Sequence, residues 1–381
     1  MNPGTMQISE YTFDASSIAV LWENGQRSEF AAIWLRDHCQ GAECRNPDNG
    51  QRLMNITDFP SDVRIGGVEK VGNTLQVRFE PDSHDSVYSS DWLYANGYET
   101  SNVYDDRSES AKHLWRAANF TDAFNFFNYR EFQTVETVKL EALNNVARYG
   151  FVILRQVPVD PGQVLKVIRE FGYVRETNYG PLFEVRTAID PNNLAYTSLG
   201  LGCHLDNPYR DPVPSLQLLH CLANSAEGGD SILQDGFMAT KVLREENPAH
   251  FETLCDQWIN FRFQDRNNVL AARAPMIECN DRGEVCKIRF NNRSIDTLRL
   301  PPDRLVDFYA AYRHFAEILE RKSLQIEFKL SPGEVMIFDN TRILHARTAF
   351  SSSGKRHLQG AYSDLDGLYS TIHHLRQTLQ G

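Results

Sequence analysis

Two histidines and an aspartate are the residues of this chain best suited to holding a metal ion. His204 and Asp206 are two positions apart, so on an extended strand both side chains point to the same side. His345 follows the apolar run after Ser331-Pro332-Gly333 and can supply a third ligand. Two imidazoles and one carboxylate on one face suit non-heme Fe(II) and leave positions open for a co-substrate and O₂.

A His-x-Asp pair alone is weak evidence, because two unrelated surface or core residues produce it by coincidence. Two further residues make the set more specific. Arg356 follows His345 closely enough to return on the next strand and hold a carboxylate with its planar guanidinium. Ser231 offers a hydroxyl to the same carboxylate. The ordered set predicts a metal centre beside a carboxylate-binding site.

The elements that must position these residues are mostly strands. Strand-like runs occur at 151–154, 215–221, 285–290, 325–330 and 334–338. Helical spacing occurs at 135–150, after a predicted N-cap at Thr134, and at 161–172, 240–257 and 302–322. Because regular helices do not separate the strands, we expect a mainly β fold with flanking helices rather than a doubly wound parallel sheet.

The first hundred residues have a different pattern. Short β-branched and aromatic runs between residues 18 and 92 are broken by Asn24-Gly25 and Gly72-Asn73, which are sequences typical of hairpin turns. We predict a small antiparallel β domain over 1–100. A larger domain over 101–381 follows, and it starts with a polar, aromatic-rich connector.

The composition excludes several classes of protein. A net charge of −11, from 39 Lys+Arg against 50 Asp+Glu, has the wrong sign for binding nucleic acid. The apolar runs are far shorter than the ~20 residues of a membrane span. Seven scattered cysteines fit reduced thiols better than a disulfide framework. We expect a soluble, cytoplasmic protein with no nucleic-acid or membrane partner.

At these residues the chain resembles the Fe(II)/2-oxoglutarate dioxygenases of the taurine dioxygenase superfamily, and more closely the γ-butyrobetaine and trimethyllysine hydroxylases. The likeness covers nearly the entire chain. Its motifs are Trp34-Leu35-Arg36-Asp37-His38-Cys39, Asn193-Leu194-Ala195-Tyr196-Thr197, Leu218-Leu219-His220-Cys221, Gly228-Gly229-Asp230-Ser231, Asp235-Gly236-Phe237 and Phe338-Asp339-Asn340.

The resemblance implies a double-stranded β-helix (jelly-roll) catalytic domain in which His204, Asp206 and His345 bind iron. Arg356 and Ser231 then hold the distal carboxylate of 2-oxoglutarate. The implied reaction converts 2-oxoglutarate and O₂ to succinate and CO₂ while an unactivated C–H bond of the substrate is hydroxylated. The alternative is a non-catalytic cupin-like binding module, which needs neither Arg356 nor Ser231 at these positions.

The resemblance also implies a quaternary ammonium substrate, which a protein recognises by surrounding it with aromatic faces. Tyr179, Phe183, Tyr196 and Tyr362 fall at the family's aromatic-cage positions. The alternative is that they are ordinary core residues, in a chain with 15 Tyr and 22 Phe.

The anionic end of the substrate would meet Asn193 and the run Asn291-Asn292-Arg293. A guanidinium beside two amides suits a phosphonate, which has more charge and more acceptor oxygens than a carboxylate. We therefore favour 2-(trimethylammonio)ethylphosphonate as the substrate, with γ-butyrobetaine, the precursor of L-carnitine, as the alternative. Arg293 pointing to solvent would remove this preference.

The N-terminal domain departs from the zinc site of butyrobetaine hydroxylases, which uses three cysteines and a histidine. Gly41 replaces the middle cysteine, while Cys39, Cys44 and His84 are retained. Zn(II) on these three residues, with His38 as a fourth ligand, and a metal-free remnant domain are both open. Because this domain often carries dimer contacts in the family, we expect a homodimer.

Overall fold

The computed structural model describes residues 6–98, 111–120, 126–186, 200–351 and 354–380. The predicted substrate-binding residues Asn193 and Tyr196, and most of the predicted connector, lie outside these ranges. The chain divides into two compact units, residues 1–104 and residues 105–381. Within the described ranges, no helix combines the length and apolar character that crossing a membrane requires.

The N-terminal unit contains two three-stranded antiparallel sheets and two short helices. Its elements are β1 (Ile8–Phe13), β2 (Ser17–Trp22), β3 (Arg27–Ala31), α1 (Ala32–Asp37), β4 (Arg64–Val71), β5 (Thr74–Glu80), β6 (Asp85–Ser89) and α2 (Ser90–Asn96). Gly25 and Gly72 adopt positive φ at the β2–β3 and β4–β5 turns, a conformation that glycine adopts without strain. The two predicted hairpins are therefore present.

Two sheets form the centre of the second unit. The larger has the order β7 (Phe126–Asn128), β8 (Phe151–Arg155), β18 (Val335–Asp339), β11 (Leu216–Asn224), β20 (Arg356–Ser363) and β9 (Phe183–Val185). The smaller has the order β10 (Leu201–His204), β19 (Ile343–Arg347), β12 (Ser231–Asp235) and β17 (Gln325–Phe328). Among the described strands of these two sheets, only the β7–β8 pair is parallel. The predicted mainly β class and the double-stranded β-helix are confirmed.

Helices and two hairpins surround the sheets. The helices are α3 (Tyr129–Thr134), α4 (Glu136–Tyr149), α5 (Gln163–Arg169), α6 (Gly236–Glu246), α7 (Pro248–Asp256), α8 (Pro302–Leu319) and α9 (Leu365–Gln380). The hairpins are β13 (Ile259–Gln264) with β14 (Val269–Ala274), and β15 (Ile277–Cys279) with β16 (Val285–Ile288). One apolar cluster fills the space between the sheets, a second packs α4, α5 and α9 on the larger sheet, and a third joins α6, α7 and α8 to the hairpins.

Two helix boundaries differ from the prediction. The helix expected over 240–257 is two helices, because the Asn247 side chain accepts a hydrogen bond from the His250 N–H and Pro248 begins α7. Thr134 is not an N-cap. It is the last residue of α3, and its hydroxyl donates to the Arg130 carbonyl. The spacing of apolar residues did not indicate that α3 and α4 are separate helices.

His220 generates a testable prediction for stability. It is fully buried on β11, neither ring nitrogen has a hydrogen-bond partner among the described residues, and burial lowers its pKa to about 4 against the opposing charge of Asp160. An unfolded histidine has a pKa near 6.5, so protons bind the unfolded chain preferentially between pH 6.5 and 4. This destabilisation is absent above pH 7 and reaches about 2 kcal/mol at pH 5.

His220→Leu should therefore unfold in urea with a flatter pH dependence than wild type. The difference in unfolding free energy between the two proteins should shift in favour of the variant by about 2 kcal/mol from pH 7.5 to pH 5. Parallel pH profiles would show that folding does not lower the pKa of His220.

Candidate active site

The three predicted metal ligands lie together on the smaller sheet. His204 ends β10 and is the direct cross-strand partner of His345 on β19, with ring centroids 4.2 Å apart. His204 Nε2 lies 3.4 Å from Asp206 Oδ1. One ligand atom from each of the three residues can be chosen so that all lie within 4.8 Å of one another. The antiparallel pairing of β10 and β19 thus brings together residues that are far apart in sequence.

Asp206 is not on the strand, contrary to the prediction from the His-x-Asp spacing. β10 ends at His204, and Asn340 instead fixes the position of Asp206. The Asn340 side chain accepts a hydrogen bond from the Asp206 N–H and donates to the carbonyls of Asp206 and Pro214, each at 2.9 Å. This buried amide replaces the strand hydrogen bonds that the backbone lacks beyond His204.

The protonation states suit a divalent cation. His204 donates its Nδ1–H to the Gly202 carbonyl at 2.9 Å, so Nε2 is the ring nitrogen that faces Asp206. Burial and the neighbouring His204 lower the pKa of His345 to about 3, so this imidazole is neutral. Burial raises the pKa of Asp206, but its hydrogen bond to His204 and the proximity of His345 have the larger effect and lower the pKa well below its usual value. Two imidazoles and a carboxylate are the donors of a facial iron site.

Ser231 and Arg356 line the same open cavity as the three candidate ligands. Sequence reasoning missed a second guanidinium there. Arg347 is buried, is the cross-strand partner of Ser231, and lies 4.9 Å above the Phe350 ring, which Arg356 also covers at 5.6 Å. Burial and Arg356 lower the pKa of Arg347 to about 10. This end of the cavity is suited to an anion of more than one charge.

Phe183 also lines this cavity, and other aromatic residues pack around it. Phe183 stacks on Tyr362 at 5.1 Å and lies 6.3 Å from Tyr179. Two aromatics that the sequence did not suggest extend the group, because Tyr209 stacks on Phe263 at 5.0 Å and its hydroxyl lies 3.2 Å from that of Tyr179. Sequence patterns did not indicate Tyr209 and Phe263 as a pair, because the two residues are far apart in the chain.

Gly360 makes room for this group. A Cβ at Gly360 would collide with the Phe183 ring, which lies directly over β20. The absence of a side chain at this position is therefore what allows Phe183 to face the cavity.

In the run 291–293, one residue stabilises the loop and the other two are exposed. Asn291 is buried, donates to the Leu205 carbonyl and accepts from the Arg293 N–H, so its amide holds the loop. Asn292 and Arg293 are exposed. Although the residue as a whole is exposed, desolvation of the guanidinium lowers the pKa of Arg293, and the charge of Asp206 opposes this. Arg293 in turn lowers the pKa of His345. Arg293 is therefore close enough to the candidate metal ligands to act on them electrostatically.

Comparison with known proteins identifies the family. Residues 113–362 match the family described as taurine catabolism dioxygenase TauD, TfdA family, which covers more than half of the chain. The chain belongs to this family. It is a 2-oxoglutarate-dependent dioxygenase, and residues 10–94 match the description gamma-butyrobetaine hydroxylase-like, N-terminal.

Three relatives of the dioxygenase align with nearly all of it. A gamma-butyrobetaine dioxygenase from Pseudomonas sp. (strain AK-1) is 34% identical over 94% of this chain and 93% of its own. The gamma-butyrobetaine dioxygenase of Homo sapiens is 29% identical over 99% of this chain and 98% of its own. A trimethyllysine dioxygenase from Meyerozyma guilliermondii is 27% identical over 96% and 95%, respectively.

The N-terminal unit of the dioxygenase contains a second group of potential metal ligands. His84 Nε2 lies 3.3 Å from Cys39 Sγ and 3.7 Å from Cys44 Sγ, and Glu43 completes a set of four. His38, predicted as the fourth ligand, is not in this set. Its ring contacts the Trp34 carbonyl and Arg52, because it ends α1 with its side chain stacked on Trp34.

Asn340→Ala tests the role assigned to the Asn340 amide. The variant leaves the Asp206 N–H and two buried carbonyls without their partner, and an unsatisfied buried polar group costs about 1–3 kcal/mol. We expect the unfolding free energy of the dioxygenase in urea to fall by roughly 2–4 kcal/mol. Asn292→Ala, at an exposed asparagine, should change it by less than about 0.5 kcal/mol. Equal small effects of both variants would contradict the role of Asn340.

Proposed function

We propose that this dioxygenase binds Fe(II) through His204, Asp206 and His345 and hydroxylates γ-butyrobetaine to L-carnitine. The observation that carries the proposal is a single cavity that combines this ligand set with Ser231 and Arg356. The bound metal would supply activation of O₂ and oxidation of the substrate C–H bond. The balanced reaction consumes γ-butyrobetaine, 2-oxoglutarate and O₂, and forms carnitine, succinate and CO₂.

The protein's own residues bind and orient the two organic reactants. Arg356 and Ser231 hold the distal carboxylate of 2-oxoglutarate, and Arg347 adds a second cation beside it. The faces of Phe183, Tyr179 and Tyr362 receive the trimethylammonium group, which has no N–H to donate and is attracted by aromatic rings. The substrate-contacting roles of Asn193 and Tyr196, which lie outside the described residues, stay predictions from their family positions.

Two observations support γ-butyrobetaine over the phosphonate that the sequence suggested. Two of the relatives described above are gamma-butyrobetaine dioxygenases, and the third is a trimethyllysine dioxygenase. The Asn291 amide is occupied by the Leu205 carbonyl and the Arg293 N–H. One Asn291 N–H is therefore used within the protein, so fewer donors remain for the anionic end than the run 291–293 implied. This favours a carboxylate over the more highly charged phosphonate.

Substrate choice is tested by succinate formation with γ-butyrobetaine, trimethyllysine and 2-(trimethylammonio)ethylphosphonate. We expect the highest kcat/KM for γ-butyrobetaine. Arg293→Ala should raise the KM for γ-butyrobetaine about tenfold or more, because a hydrogen bond to a charged group contributes about 1.5–3 kcal/mol, and should leave the KM for 2-oxoglutarate unchanged. If wild type prefers the phosphonate and Arg293→Ala removes that preference, the phosphonate is the substrate and our proposal is wrong.

The co-substrate site has its own test. Arg356→Leu and Arg347→Leu should each raise the KM for 2-oxoglutarate at least tenfold, because each removes a charged hydrogen-bond donor from a partly buried site. Arg313→Leu, on the exposed face of α8, is the matched control and should behave as wild type. An unchanged KM in both cavity variants would place the 2-oxoglutarate carboxylate elsewhere.

We also propose that the N-terminal unit binds Zn(II) through Cys39, Cys44, His84 and Glu43. Support comes from Gly41, where the family has cysteine, because a Cβ at Gly41 would collide with the Glu43 carboxylate. Glu43 thus occupies the space of the missing ligand. Arg36 lies 3.7 Å from Cys44 Sγ and favours the thiolate, against burial and Cys39, which raise the pKa of Cys44 to about 11.

The zinc proposal predicts a second metal ion in the purified full-length protein. Elemental analysis should find about one zinc per chain in wild type and in the control Cys255→Ser, and much less in Cys44→Ser and Glu43→Ala, because a closed zinc site needs four ligands. Wild-type protein without zinc, and with a Tm unaffected by added zinc, would indicate a metal-free domain.

A further inference from the structure

The two oxygens of the Asp206 carboxylate have different surroundings. Oδ2 accepts a hydrogen bond from the Tyr362 hydroxyl at 2.9 Å and another from Gln217 Nε2 at 2.9 Å. Oδ1 lies on the other side, 3.4 Å from His204 Nε2. One oxygen is therefore occupied by two donors, and the other faces the candidate metal ligands.

The two donors come from the sheet opposite the histidines. Gln217 on β11 and Tyr362 on β20 are direct cross-strand partners in the larger sheet, whereas His204 and His345 lie on the smaller sheet. Both donors are almost completely buried, with 1% and 4% of their surface exposed. Since buried side chains in paired central strands have little freedom, the larger sheet fixes the orientation of the carboxylate.

We propose that Tyr362 and Gln217 are positioning residues that restrict Asp206 to metal coordination through Oδ1 alone. The inference rests on the proposed function, because it assumes that a divalent metal binds these ligands. Three single-atom protein ligands leave three positions of a six-coordinate ion open. All three would be needed for a chelating 2-oxo acid and O₂. Coordination through both oxygens of Asp206 would take one of those positions.

Tyr362 also connects this arrangement to the aromatic group. Its ring stacks on Phe183 at 5.1 Å while its hydroxyl binds Asp206. Sequence analysis predicted only the ring's contact with substrate. Tyr362→Phe separates the two roles, because it keeps the aromatic face and removes the donor to Oδ2.

The test measures Co(II) binding to the full-length protein by titration calorimetry, without a reaction. Loss of an outer hydrogen bond to a metal ligand typically weakens metal affinity 10–100-fold. We expect a loss of this size in Tyr362→Phe and in Gln217→Met. Tyr129→Phe is the matched control, because Tyr129 is buried outside the site and its hydroxyl accepts a hydrogen bond from Gln163. It should bind Co(II) as wild type does.

A second measurement distinguishes orientation of Asp206 from a general loss of structure. With the protein saturated with Co(II), 2-oxoglutarate should bind at least tenfold more weakly to Tyr362→Phe and Gln217→Met than to wild type, because the released Oδ2 competes for a metal position. The Co(II) absorption spectrum before 2-oxoglutarate is added should also differ. Circular dichroism checks that each variant is folded. If only one of the two variants folds, that variant is sufficient for the test.

The outcomes separate the two proposals. If Asp206→Ala loses Co(II) binding while Tyr362→Phe and Gln217→Met bind Co(II) and 2-oxoglutarate as wild type does, the positioning role is wrong and the metal site stands. If wild type does not bind Co(II), or Asp206→Ala binds it equally well, the proposed metal site itself is wrong.

Discussion

The turn between β18 and β19 is the constraint on which the candidate active site depends. Asn340 in this turn holds the backbone of Asp206, which no strand positions. Two residues later, Arg342 pairs with Asp235 at 2.7 Å, and both side chains are completely buried. His345 follows on β19. One tight turn therefore sets the relative position of two candidate metal ligands and anchors them to the start of α6.

The buried pair of Arg342 and Asp235 specifies geometry more than it adds stability. Removing two charges from water costs several kcal/mol per ion, and their attraction offsets this only when the remaining hydrogen-bonding groups are also satisfied. They are satisfied here, because Arg342 donates to the carbonyls of Arg148 and His113, and Asp235 accepts from the Trp115 N–H. The pair thus holds α4, residues 113–115 and α6 in one arrangement. A shift in the pairing of the strands would leave these buried charges unpaired.

Sequence analysis predicted what local patterns encode. Alternation and turn residues gave the strands and the N-terminal hairpins, and the spacing of His204, Asp206 and His345 selected side chains that the structure brings together. Their roles as iron ligands remain predictions. What sequence analysis missed depends on contacts between distant segments. Arg347 becomes an anion-binding candidate only because β12 places Ser231 opposite it. The Asn291 side chain donates a hydrogen bond to the carbonyl of Leu205, more than eighty residues away in the chain.

Charge separates the two ends of the cavity. At one end the guanidiniums of Arg347 and Arg356 flank the Phe350 ring, and each has its pKa lowered first by burial. Two neighbouring cations in a partly dry site repel each other, so this end is most stable when an anion is bound. A carboxylate is attracted to this end, whereas a trimethylammonium group is repelled there and attracted by the aromatic faces of Phe183 and Tyr362. On the proposed function, this polarity favours the distal carboxylate of 2-oxoglutarate beside the two guanidiniums and the trimethylammonium group beside the aromatic rings.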